Sequence, residues 1–205
     1  MNRRRAVAAV AVLAALTLAA TATAQTWTEP KSGLAFAVKK DDMTLLGAGL
    51  RVKKIVFTFK AYAIGLYVSD AAVSGPLAAF KGKTTSPEFY RALQTGDFKK
   101  EVVLKFTRNL SQGKIQDGMR ESLVGAEPKV LDQFISYFPE VKEGQECVLR
   151  WLPGGTVEAV MAGQAKPPIT HKAFAEQLMG LYVGPQPVQD DIKAGVVARA
   201  AEVIK

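Results

Sequence analysis

The chain has 205 residues, of which 48% are hydrophobic and 22% charged, and its formal net charge is +8. This length and this apolar content are typical of one globular domain, and they exclude a disordered tail protein. The single Cys and single His exclude a disulfide framework and a Cys/His zinc cage, because both need more of these residues than the chain holds. We therefore predict no metal and no other cofactor.

Residues 1–24 have the pattern of a secretory signal peptide. Three arginines precede an apolar run over 6–20, and Ala22 and Ala24 fit a small-residue cleavage site. An uncleaved anchor is the alternative, but the run is short for a membrane span. We predict a mature domain over 25–205, without a transmembrane segment, located in the periplasm or secreted. This domain carries 24 basic and 19 acidic residues, a net charge of +5, and after export we expect no nucleic-acid partner.

Period-two alternation predicts the main strands. Residues 55–62 alternate, which predicts a half-buried strand within 51–68, and the length of this segment predicts a bend or bulge at Gly65. Residues 101–107 alternate again and predict a second strand. A Pro-Gly-Gly turn between 145–152 and 156–161 predicts a hairpin.

Four helices are predicted around and after these strands. Ser111 is a candidate N-cap for a helix over 112–124, and two prolines bound a second helix over 128–138. A third helix is expected to start at a Thr170 cap, and a fourth covers 189–204. Strands, helices, a hairpin and then helices predict an α+β fold, with helices on one face of an antiparallel sheet.

Most of the chemistry-bearing residues favour structural roles. His171 follows a predicted cap, so we interpret it as an exposed residue at a helix start rather than a member of a catalytic triad. The Gly-Ala-Gly at 47–49 precedes a strand and not a helix, which speaks against a dinucleotide loop.

Arg51 is the stronger candidate, because it follows these glycines at the start of the most apolar strand region. A guanidinium suits a carboxylate, phenolate or enolate oxygen, and a bound anion would supply the partner that its burial requires. The alternative is a surface arginine in a basic edge strand.

Two segments resemble the signature of the chalcone isomerase family: LGAGLR over 46–51 and FKAYAIGLYV over 59–68. Leu178-Met179-Gly180 and the turn over 184–188 resemble the C-terminal helix and turn of its bacterial branch. The resemblance covers most of 31–200. It implies an open-faced β-sandwich in which a large antiparallel sheet carries a helix layer, with a ligand cleft between them.

The resemblance also implies site residues. Arg51 matches the arginine that stabilises developing negative charge in the plant isomerases, and Tyr62 lies where fatty-acid-binding relatives use a tyrosine to hold a carboxylate. On one continuous strand, their separation of eleven would put them on opposite faces, so convergence needs a bulge or break near 57–60. Three polar residues of the plant isomerase site, a tyrosine, an asparagine and a threonine, correspond here to Ile115, Ser122 and Leu178, respectively.

These replacements favour a non-catalytic protein that binds a fatty acid or a similar small apolar anion. Separately, we expect it to be a monomer. The predicted ligand-binding residues are Arg51, Tyr62, Ile115, Met119, Ser122, Leu178 and Met179. One alternative is an isomerase or intramolecular lyase acting on an enone- or chalcone-like substrate, with Arg51 as electrostatic catalyst and Tyr62 as general acid. The other is a ligand-free interaction module of the cell envelope.

Overall fold

The computed structural model describes residues 25–54 and 58–205, so the predicted signal peptide lies outside the described residues. Within them, the main sheet has seven strands in chain order, and all neighbouring strands are antiparallel. These strands are β3 (Lys39–Lys40), β4 (Met43–Lys54), β5 (Thr58–Ser69), β6 (Lys100–Phe106), β7 (Glu146–Leu152), β8 (Thr156–Met161) and β9 (Gln164–Thr170). A separate ribbon pairs β1 (Thr26–Thr28) with β2 (Ala35–Ala37).

The helices complete the predicted α+β fold, which is confirmed. They are α1 (Asp70–Ser74), α2 (Pro87–Thr95), α3 (Gln112–Ser122), α4 (Pro128–Ser136), α5 (Lys172–Val183), α6 (Asp190–Gly195) and α7 (Ala200–Val203), with a short 3₁₀ turn at Ala78–Phe80. The predicted helix over 189–204 is thus two short helices.

The start of α5 corrects another expectation. The N-cap is His171, not Thr170, because the Nδ1 atom of His171 accepts a hydrogen bond from the backbone N–H of Phe174 at 3.1 Å. Such a bond satisfies one of the free N–H groups of the first helical turn. The lone histidine therefore has a structural role here.

The prediction of one strand over 51–68 was wrong. Lys54 at the end of β4 is paired with Thr58 at the start of β5, so the predicted strand is two antiparallel strands. The register then places Arg51 directly opposite Tyr62. Directly opposed residues of an antiparallel pair project from the same face of the sheet, so the spacing of eleven brings these two side chains together.

Hydrophobic cores lie on both faces of the sheet at β4, β5 and β6. The helices cover one face and enclose the larger hydrophobic core, while Phe36 of β2 belongs to a smaller core on the other face. A Cβ atom on Gly65 would lie 2.6 Å from the ring of Phe36, so this glycine makes room for the ribbon. The predicted irregularity at Gly65 is absent from the described register, which instead shifts near Leu46 and near Ala61.

Helix α6, the last but one of the described helices, lies directly on β4. A Cβ atom at Gly47 would lie 2.4 Å from the carbonyl oxygen of Gly195, and one at Gly49 would lie 3.0 Å from the Cα of Ile192. Both obstacles are backbone atoms. The Gly-x-Gly spacing therefore allows a helix to approach a strand more closely than side chains would permit.

Candidate functional site

A cavity of about 550 Å³ lies between the sheet and the helix layer, and its volume is within the range of typical small-molecule sites. Strands β4 to β6 form its floor, and α3, α5 and the segment after α5 form its walls. Its apolar lining residues are Ala61, Leu104, Phe106, Leu110, Ile115, Met119, Phe138, Leu181 and Val188. Its polar lining residues are Arg51, Lys53, Tyr62, Arg108, Asn109, Lys114, Asp117, Glu121, Ser122 and Tyr182.

Arg51 lies on the cavity wall and is held there by the segment that follows α5. Its Nη1 atom donates a hydrogen bond to the backbone carbonyl of Val188 and lies 3.5 Å from Oε1 of Gln189. The same Oε1 accepts a hydrogen bond from the backbone N–H of Val52 at 3.0 Å. Within the part of the chain that the structure describes, these partners are neutral and no carboxylate is ion-paired with Arg51. Its positive charge therefore remains available to an anion.

Tyr62 lies beside Arg51 on the neighbouring strand. Its ring meets Phe106 edge to face, with ring centroids 6.0 Å apart. Burial raises the pKa of Tyr62, and the nearby charge of Arg51 lowers it by a smaller amount. The phenol is therefore protonated at neutral pH and can donate a hydrogen bond.

Tyr182 on α5 adds a second buried phenol. The residue is 1% exposed, and burial, followed by the nearby Tyr62 and Cys147, raises its pKa well above the ordinary value. The sequence predicted a helix after Thr170, which contains Tyr182, but did not identify this tyrosine as a cavity residue. Its hydroxyl gave no separate signal, because a tyrosine in an apolar helical stripe looks like core packing.

Exposed charged residues surround the mouth of the cavity. Lys114, Asp117 and Glu121 are all exposed on α3, and Arg108 is exposed just before this helix. Lys53 approaches Glu121 with 3.9 Å between Nζ and Oε2. The sequence did not predict that Lys53 and α3 approach each other, because the two segments are distant in the chain.

The structure brings five of the seven predicted ligand-binding residues to this cavity. They are Arg51, Tyr62, Ile115, Met119 and Ser122. The Ser122 hydroxyl donates to the carbonyl of Gly118, at 2.7 Å, within its own helix.

The other two, Leu178 and Met179, do not line the cavity. Both lie on α5 and are fully buried in the larger hydrophobic core. Leu181 and Tyr182, one turn later, occupy the wall instead. Ligand contact by any of the seven residues stays a prediction.

The described residues contain no group of three or more His, Cys, Asp or Glu side chains arranged to hold a metal ion. Nor does any helix among them combine the length and the apolar character that crossing a bilayer requires.

Together, the fold and the cavity define an α+β protein with a ligand-sized cleft between an antiparallel sheet and a helix layer. The chain belongs to the chalcone isomerase-like family, whose model matches residues 32–197. This confirms the resemblance, while membership of a bacterial branch stays a prediction.

Relatives and structural neighbours extend this comparison. Chalcone–flavanone isomerase 1 of Fragaria ananassa is 26% identical over 183 residues, covering 78% of this chain and 77% of the relative. The chalcone–flavanone isomerase of Pyrus communis is 27% identical over 182 residues, covering 77% and 83%. A crystal structure of an Arabidopsis thaliana fatty-acid binding protein is similar with a TM-score of 0.76 and 20% identity, covering 88% of this chain and 99% of the other. At this identity, the structural likeness establishes the fold alone.

Proposed function

We propose that this protein binds a fatty acid or a similar small apolar anion in the cavity and does not catalyse a reaction on it. The observation that carries the proposal is the position of Arg51, a cation without a carboxylate partner among the described residues, on the wall of a largely apolar cavity. A ligand that satisfies both features has an anionic head and an apolar tail.

The chemistry of the lining residues supports this class of ligand. The head would bind Arg51 and Tyr62, and the tail would lie against apolar residues such as Leu104, Phe138 and Leu181. Each methylene removed from water contributes about 0.8 kcal/mol, so a medium chain gains several kcal/mol in such a site. The similar Arabidopsis protein is described as a fatty-acid binding protein, which agrees with the proposal.

The isomerase alternative has support of its own. The curated relatives named above are chalcone–flavanone isomerases, and the neutral phenol of Tyr62 beside Arg51 could act as an acid. Two polar positions implied by the family are weaker here, however. Ile115 offers no polar atom, and the Ser122 hydroxyl is engaged within α3. The third alternative, a ligand-free interaction module, requires a domain without a cavity, so the cavity counts against it.

Ligand titration tests the proposal directly. Delipidated protein would be titrated with fatty acids of about 8 to 18 carbons by calorimetry. Arg51→Ala removes a charge-assisted bond worth about 1.5–3 kcal/mol, so binding should weaken at least about tenfold. Arg120→Ala is the matched control, because Arg120 is exposed, pairs with Asp132 at 2.8 Å and lies outside the cavity lining.

Two results would contradict this function. One is the absence of binding to any chain length, and the other is equal affinity of the two arginine variants. Turnover of a hydroxychalcone that is lost in Arg51→Ala would instead establish the isomerase alternative.

We also propose that the protein is exported. The support is the sequence pattern of residues 1–24 alone. Intact-mass analysis of protein from cell fractions should find a chain that starts at Gln25 outside the cytoplasm. A full-length chain confined to the cytoplasm would contradict export.

A further inference from the structure

The side chain of Gln189 links Arg51 to the segment that follows α5. Its Oε1 atom accepts a hydrogen bond from the backbone N–H of Val52 at 3.0 Å and lies 3.5 Å from Nη1 of Arg51. Both of these neighbours are donors, so they fit the amide oxygen and not the amide nitrogen. One side-chain atom therefore contacts the backbone of β4 and the guanidinium beside it.

The contact to Val52 lies where the pairing of β4 with β5 is interrupted. Ala61 of β5 has no residue opposite it on β4, because the register shifts between Arg51 and Val52. Such a bulge disrupts the hydrogen bonds of the ladder locally. A backbone N–H inside a protein requires an acceptor, and here a side chain from a distant part of the sequence supplies it.

Helix capping does not account for this glutamine. Gln189 is the N-cap of α6, but among the described residues its side chain makes no capping hydrogen bond. Short polar side chains are preferred at this position because they reach the free N–H groups of the first helical turn. The longer side chain of Gln189 reaches β4 instead, so it serves Val52 and Arg51 rather than its own helix.

The amide is also neutral, which decides where the charge of Arg51 is available. The carbonyl of Val188 and the amide of Gln189 hold the guanidinium without bringing a negative charge to it. The carboxylate of Asp191, on the same helix, forms an ion pair with Lys31 at 2.6 Å instead. A carboxylate at position 189 would pair with the guanidinium and compete with an anionic ligand.

We infer that Gln189 is a positioning residue for ligand binding, which fixes the Arg51 guanidinium on the cavity wall and leaves its charge to the head group of the ligand. Gln189 lies outside the cavity lining, so it acts through Arg51 and not by touching the ligand. The inference rests on the proposed function, because it requires an anionic head at Arg51. It makes position 189 a determinant of selectivity for acids over uncharged amphiphiles of the same length.

The test measures affinity for decanoate and for 1-decanol, which has the same chain length and no charge, by calorimetric titration at neutral pH. Gln189→Glu keeps an acceptor for the Val52 N–H and adds a negative charge beside Arg51, whereas Gln189→Ala removes both contacts. Gln186→Glu is the matched control, because Gln186 is exposed in the same segment and lies outside the cavity lining.

We expect Gln189→Glu to bind decanoate at least about tenfold more weakly, because the guanidinium exchanges a charge-assisted bond to the ligand for one within the protein. Gln189→Ala should bind decanoate about three- to tenfold more weakly, because a less restrained arginine loses more side-chain freedom when the ligand binds. Both variants should bind decanol as the wild type does, and the control should bind both ligands as the wild type does.

The ratio of the two affinities separates positioning from a structural role. A wild-type ratio in either Gln189 variant would overturn the inference and leave the proposed function intact, even if both ligands bind more weakly by the same factor. If Gln189→Ala does not fold, the ratio in Gln189→Glu decides alone. A wild type that does not prefer decanoate to decanol, or that binds neither, would overturn the proposed function and this inference together.

Discussion

Replacing Gly49 with alanine should destabilise the protein, because the new methyl group would collide with backbone rather than with a movable side chain. The added Cβ would lie 3.0 Å from the Cα and 3.1 Å from the carbonyl oxygen of Ile192, and 3.4 Å from the carbonyl oxygen of Asp191. Ordinary contact begins near 3.4 Å, so α6 must move away from β4 by a few tenths of an ångström. Overpacking of this kind typically costs about 1–3 kcal/mol.

The displaced helix is also connected to the candidate site. It starts at Asp190, immediately after the Val188 carbonyl and the Gln189 side chain that hold Arg51. We therefore expect Gly49→Ala to weaken fatty-acid binding as well as lower stability. Its melting temperature should fall by about 2–4 °C for each kcal/mol lost.

Gly113→Ala is the matched control for this experiment. A Cβ at Gly113 meets no atom of the described residues within 4 Å, and this glycine lies in α3. Exchanging a helical glycine for alanine should leave stability unchanged or raise it by up to about 1 kcal/mol. Thermal unfolding of both variants, followed by calorimetry with dodecanoate, makes the comparison. A Gly49→Ala variant as stable as Gly113→Ala would refute the idea that Gly49 is required for helix packing.

Three further predictions concern stability. Glu101 is almost fully buried and accepts hydrogen bonds from Lys40 and twice from Arg150. Glu101→Gln should therefore lower the free energy of unfolding in urea by about 2–4 kcal/mol, whereas substitution of the more exposed residue in Glu158→Gln should lower it by less than about 1 kcal/mol. Equal losses would contradict this ranking. Burial lowers the pKa of Lys100 from 10.5 to about 8, so between these pH values the unfolded chain binds the proton that the folded chain has released. The wild type should therefore gain up to about 3 kcal/mol over Lys100→Met as the pH rises from 8 to 10.5, and a flat difference in urea unfolding would contradict the cause. The Glu127 carboxylate caps α4 by accepting hydrogen bonds from two backbone N–H groups. Glu127→Ala should therefore lower the free energy of unfolding by about 1 kcal/mol, and an unchanged melting temperature would argue against the cap.

The architecture and the location of Arg51 could be predicted from the sequence, whereas the division of 51–68 between the antiparallel strands β4 and β5 could not. Residues 55–57 are Ile-Val-Phe, which continue the period-two pattern and contain none of the usual turn residues. Counting alternation therefore predicted one strand where the structure has two antiparallel strands, β4 and β5. The resemblance to the family predicted that Arg51 and Tyr62 share a site. Periodicity alone would have placed them on opposite faces of one strand.

The face of α5 that meets the cavity was equally hard to predict. Leu178, Met179, Leu181 and Tyr182 are all buried, so apolar character does not distinguish the residues that face a cavity from those that face the core. Only the packing of α5 against the sheet decides that Leu181 and Tyr182 form the wall. Because these four residues are alike in this respect, the alignment to the family's site residues selected Leu178 and Met179 rather than Leu181 and Tyr182.

The bond between Arg51 and the Val188 carbonyl joins residues 137 positions apart, which affects when the binding site can form. Contacts between such distant segments carry a large loop-closure cost and tend to form late in folding. A chain still emerging from the ribosome has β4 and β5 but lacks the segment that orients the guanidinium. Ligand capture should therefore follow completion of the fold, so the site matures after the core that supports it.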